Sequence, residues 1–213
     1  MTLFSCGQKG AGETTAPITE VKKASTTTAP SFNADSAYAY VEKQVSFGYR
    51  IPNTPAHKAC GDYLVSELKR FGAQVYEQEA TLKAYDGTPL ESRNIIGSFN
   101  PDKDKRILLF AHWDTRPYSD HDPDPANHKK PLDGADDGAS GVGALLEIAR
   151  QMGMKAPEVG VDIIFFDAED YGTPEFAKDR YNDTSDTWCL GSRFWGKNPH
   201  KPGYKAEFGI LLD

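Results

Sequence analysis

Val161, Ile163 and Ile164 join Phe165 and Phe166 in an apolar run with the β-branched and aromatic character of a strand buried on both faces. The run stops at Asp167, Ala168, Glu169 and Asp170, three acids within four residues. In an α/β sheet such a strand delivers its terminal carboxylates to the carboxyl edge, where these folds bind ligands. Clustered carboxylates repel one another and lose hydration, so a compensating cation is expected beside them. Taken alone, the same cluster also reads as a solvated strand-to-loop turn with Asp167 as its cap.

The flanking sequence supplies the rest of such a sheet. Asp35 or Ser36 can cap a first helix carrying Ala37, Tyr38, Tyr40, Val41 and Val45, closed by Gly48. Thr54 and Pro55 form an N-cap and N1 pair for a second, amphipathic helix through Ala59, Tyr63, Leu64, Leu68 and Phe71. Residues 73–84 and 92–99 alternate as the strands of a hairpin turning at Asp86 and Gly87. Residues 106–110 are a second apolar run, ending in Ala111, His112, Trp113 and Asp114, and residues 140–152 are helical, with Gly153 as the stop. Residues 208–213 form a third apolar run that ends in an acid. This order predicts a doubly wound α/β domain, a mainly parallel central sheet with helices on both faces, over residues 33–213.

With a net charge of -7 and no Lys/Arg block, the chain is a poor partner for nucleic acid or an anionic membrane surface. No stretch reaches the apolar length of a transmembrane segment. Cys6, Cys60 and Cys189 have no CxxC spacing and carry no metal or redox signature; Cys60 reads as a core residue. Residues 1–32 are poor in large apolar side chains and read as a disordered tether. Leu3, Phe4, Ser5, Cys6 and Gly7 resemble the end of a bacterial lipoprotein signal, which implies a lipid anchor on Cys6 and an address in the cell envelope or periplasm.

Three apolar runs thus end in metal-type ligands: His112 with Asp114, Glu169 with Asp170, and Asp213. A fourth set, Asp136 and Asp137 among glycines, opens the following helix. Imidazole and carboxylates without a thiolate pair suit zinc in a catalytic site. Asp114 follows His112 by two positions and can orient its imidazole. Trp113, Trp188 and Trp195 are candidates for the wall of a small pocket as well as for plain core.

The blocks AHWDT (111–115), GADDGASGVGALLEIAR (134–150), FFDAED (165–170) and LLD (211–213) resemble the metal-binding blocks of the M28 zinc aminopeptidase superfamily. DTWCLGSR (186–193) resembles a segment of the glutaminyl-peptide cyclotransferases, in particular bacterial members of animal-like type. The resemblance implies a zinc ligand at Asp137, a proton-shuttling acid/base at Glu169 and a zinc ligand at Asp170, where the family more often has Glu. It implies a substrate-amine contact at Asp213. The remaining zinc ligand of the family is a His farther along than Asp213, so the sequence reads as the front two thirds of such a domain.

The implied reaction converts the N-terminal Gln of peptides or proteins to pyroglutamate with one Zn2+ and release of ammonia. Two alternatives use the same residues. In a dizinc aminopeptidase, His112 and Asp213 complete a second site, with Asp137 bridging. In a truncated relative, the fold binds peptides or is inert.

Overall fold

The computed structural model describes residues 29–181 and 185–213. Cys6 and the tether as far as residue 28 lie outside the described residues. One compact unit runs from Ser31 to Asp213. Its elements are α1 (Ala34–Val45), α2 (Pro55–Arg70), β1 (Gln74–Lys83), β2 (Pro89–Phe99), β3 (Arg106–His112), α3 (Ala139–Met154), β4 (Gly160–Phe166), α4 (Leu190–Lys197) and β5 (Gly209–Leu211).

Helix starts follow local chemistry with one shift. Thr54 caps α2 by accepting from His57 N, and Pro55 stands at N1. The cap of α1 is Asn33, whose side chain accepts from Ser36 N at 2.9 Å, in place of Asp35 or Ser36. Asn33 is anchored from outside the helix, because its own N–H donates to Glu147 on α3 at 3.1 Å. Helix α3 continues through Gly153 to Met154, since its partly buried Met152 still packs on the core.

The strand order is β1-β2-β4-β3-β5. β1 and β2 form the antiparallel hairpin, turning where Gly87 takes a φ of 91° and Asp86 accepts from Thr88 N. β4 is antiparallel to β2, and β3 is parallel to both β4 and β5. All strands except β2 therefore point the same way, and β3, β4 and β5 end on one edge.

β4 shows why the sheet is covered on both faces. Val161, Ile163 and Phe165 point into the larger core, with Leu64 and Leu68 of α2 and Val142, Leu145 and Leu146 of α3. Ile164 and Phe166 point the other way, onto Trp195 of α4. Asp162 shares that second face. Its carboxylate receives Arg106 through two bonds of 2.7 Å and the Tyr204 hydroxyl at 2.9 Å.

Burial alone would raise the Asp162 carboxyl, but Arg106, with Ser98 and Tyr204, holds it below its ordinary value. The pair's contribution to stability is therefore complete above about pH 4 and fades as pH falls through the lower folded value. Arg106→Ala leaves that carboxylate buried without its cation; urea unfolding at pH 7 is expected to show a loss of about 3–5 kcal/mol, smaller in acid.

Candidate metal centre

The parallel strands bring the acids to one edge. His112 ends β3, the turn 167–170 follows β4, Asp213 follows β5, and Asp137 lies two residues before α3. His112 is the hub. Its Nε2 is 2.7 Å from Asp137 Oδ1 and 3.6 Å from Asp213 Oδ1, and its Nδ1 is 3.8 Å from Glu169 Oε2. Donor atoms of His112, Asp137 and Asp213 lie within 4.8 Å of one another, and so do those of His112, Glu169 and Asp170. His112 belongs to both groups, whereas Asp137 and Asp170 fall in different ones and Asp136 in neither.

Local backbone explains this convergence. Gly138 has a φ of 90°, and a Cβ there would fall 2.9 Å from the Asp114 carbonyl oxygen and 3.1 Å from the His112 ring. A side chain at that position would push the Asp137 loop off the imidazole. A Cβ on Gly141 would fall 2.3 Å from the Leu212 carbonyl oxygen, so the first turn of α3 can lie against the segment that carries Asp213. Arg50, fully buried, fastens the start of the Asp137 loop by donating to the carbonyls of Trp113, Asp133 and Gly134.

The turn after β4 separates its acids. Asp167 lies two positions beyond Phe165 and enters the same buried layer, where it accepts from Arg93 N and contacts His57 Nε2 at 2.9 Å. His57 in turn stacks on Trp113, which is fully buried core. Ala168 then adopts a left-handed φ of 51°, and Glu169 and Asp170 face the cluster. Asp114 stabilises this arrangement, accepting from Glu169 N at 3.0 Å and Asp170 N at 3.2 Å. It stands 3.4 Å from His112 Nδ1, which makes no hydrogen bond.

The segment 189–191 closes the turn from the other side. Cys189, Leu190 and Gly191 donate their N–H groups to the carbonyls of Glu169, Ala168 and Asp167, each at 3.0 Å. Cys189 is also left-handed, at φ 54°, and its thiol donates to Glu169 Oε1 at 3.0 Å. Trp195 packs on Phe166 and Tyr204 across the sheet from the main core, and Trp188 rests on Arg116.

The electrostatics are those of anions short of a cation. Burial, with repulsion from Asp114 and Asp137, pushes the Asp170 carboxyl up to about 7. Burial also raises Glu169, against the opposing pull of the Cys189 hydrogen bond and His112. For His112 burial would lower the value, yet its contacts with Asp114 and Asp137 carry it to about 11. Asp137 goes the other way, drawn down by its bond to His112. One buried imidazole facing this many carboxylates, with an orphaned Nδ1, is a donor set that a divalent cation fits, and its N/O composition suits zinc.

The fold and this edge define an α/β protein of the metal-dependent exopeptidase type. Residues 94–213 match the profile of peptidase family M28, and the chain belongs to that family. Among solved structures it is similar to a Zn-dependent exopeptidase from Parabacteroides distasonis, at 76% identity and a TM-score of 0.84. It is similar to the glutaminyl cyclase of Tannerella forsythia at 68% identity and TM-score 0.82, and to that of Bacteroides thetaiotaomicron, bound to N-acetylhistamine, at 61% and 0.85. Each of these matches covers 86% of this chain, and the chain spans 62% of each relative's length.

Sequence reasoning missed the roles of Arg50, His57 and the Cys189 thiol, all of which act across 20 positions or more through folding. The inward course of Asp167 was available from strand alternation. Asp114→Asn, which sets an amide donor against one of two inward backbone N–H groups, is expected to lower stability by about 1–3 kcal/mol in chemical denaturation.

Proposed function

We propose that this chain carries the catalytic face of a zinc-dependent glutaminyl-peptide cyclotransferase acting on peptides or proteins with N-terminal Gln. The observation that carries the reading is the setting of Glu169. Its side chain is 27% exposed, fixed by the Cys189 thiol, raised by burial and adjacent to Asp170. A carboxyl that solvent can reach and that is pushed toward neutrality is suited to moving a proton. The glutaminyl cyclases at 61% and 68% identity support the substrate class.

In this reading Asp137 and Asp170 hold the zinc, with the His that the family pattern carries after Asp213. When bound, zinc supplies Lewis-acid polarisation of the γ-carbonyl of the substrate glutamine. Glu169 takes a proton from the α-amine as that nitrogen bonds to the carbonyl carbon. It then returns the proton to the side-chain nitrogen, which leaves as ammonia. Asp213 lines the same cavity of about 90 Å³ as Glu169, His112 and Cys189, and so can hold the amine. A larger cavity of about 590 Å³ beside His57 and Arg93 shares none of these acids.

In this reading the site takes one ion, and His112 holds Asp137 in place through the 2.7 Å bond to its Nε2. The second reading, a dizinc aminopeptidase, draws on the close triad of His112, Asp137 and Asp213 and on the relative described as a Zn-dependent exopeptidase. The envelope address and the lipid on Cys6 remain part of the proposal on sequence grounds alone.

The test pairs a Gln-peptide with an aminoacyl-anilide on the full-length protein, with zinc counted per chain. Ammonia release without chain cleavage and one zinc is the expected outcome; anilide hydrolysis with two zincs would establish the peptidase instead. Glu169→Gln should lower kcat by about a hundred- to ten-thousand-fold with zinc content unchanged.

A further inference from the structure

Asp170 is held from both sides of its backbone. Its N–H is taken by Asp114 Oδ2, and its carbonyl accepts from Arg116 Nη1 at 3.1 Å. Arg116 is itself fixed. Its Nε and Nη2 meet the two oxygens of Asp120 at 2.7 Å each, in a planar two-bond fork, and both side chains are buried. The face of its guanidinium lies 4.6 Å from the Trp188 ring. Asp120 Oδ2 accepts a further bond from Glu175 N at 2.8 Å. The loop after β3 thus grips the segment 170–175 at both ends.

We propose that Arg116 and Asp120 act as a positioning pair that presets Asp170 for the metal, so that breaking the pair weakens zinc binding while the chain stays folded. The inference rests on the zinc reading above and adds residues that do not touch the ion. Its physical basis is the short arm of Asp170. An aspartate has one fewer rotatable bond than glutamate, so a backbone displacement is not easily recovered by the side chain. Locking both flanking peptide groups leaves only χ1 and χ2 free, which lowers the ordering cost when the ion binds. The guanidinium also carries charge close to Asp170 and Asp137, so Arg116→Lys, which keeps that charge, isolates the loss of the fork.

The experiment is zinc titration by chelator competition on the full-length protein, with thermal melting of the zinc-free form alongside. Arg116→Lys keeps the charge and loses the fork; Asp120→Asn is nearly isosteric and weakens it; Asp170→Asn is the reference. Either positioning variant is expected to raise the zinc Kd by about tenfold or more, as orienting partners of metal ligands commonly do. The reference variant should raise it further. A change below about threefold in both Arg116→Lys and Asp120→Asn overturns the proposal, whether or not their zinc-free melting temperatures fall, provided Asp170→Asn still weakens binding. If Asp170→Asn itself leaves the Kd unchanged, the zinc assignment fails and this inference falls with it.

Discussion

Asp114 is fully buried, and its two oxygens each take a backbone N–H from the turn that follows β4. Charge-assisted bonds of this kind are stronger than neutral ones, and here they join the tips of two parallel neighbours. Without them Glu169 and Asp170 would sit on a loop that mutual repulsion drives apart. The carboxylate that organises the centre is therefore spent on the backbone. That leaves His112 Nδ1 unbonded and the remaining acids facing one another across a small volume.

The three acids after β4 divide structural and chemical work along the alternation of the strand. Asp167 continues the inward phase of Val161, Ile163 and Phe165 and is satisfied by His57, Arg93 N and Ala168 N. The left-handed turn at Ala168 breaks that phase and lifts Glu169 and Asp170 out to the edge. Below the turn both oxygens of Asp167 have hydrogen-bond partners. Above it the carboxylates are under-compensated, which is the condition a metal ion relieves.

Much of this was legible in the chain, and what was not has a common cause. The strands, the Thr54-Pro55 start, the Asp86-Gly87 turn and the family's acidic blocks depend on neighbours within a few positions. Membership of peptidase family M28, and a sheet in which only β2 runs against the rest, agree with those readings. The α1 cap moved to Asn33 because Glu147, far along the chain, takes its N–H. The roles of Arg50 and Arg116 are set by the distant carbonyls each guanidinium reaches after folding, which no local pattern encodes. Asp114 stands beside His112 as expected, 3.4 Å from its Nδ1; the backbone N–H groups it accepts from are ones that no spacing rule points to.

Ala168 and Cys189 stand on the two segments whose backbone bonds close the acidic turn, opposite Leu190 and Glu169 respectively, both in a backbone region costing non-glycine residues about 1 kcal/mol each. Glycine is the usual remedy, but both positions resist it. The Ala168 methyl is sealed in a small cluster with Ala84 and Leu90, and the Cys189 sulfur is the donor to Glu169. For anyone seeking a hardier variant, the customary swap at an uncomfortable dihedral would loosen the grip on Glu169. Room for improvement lies elsewhere in the molecule, where the backbone is relaxed and a side chain has no second duty.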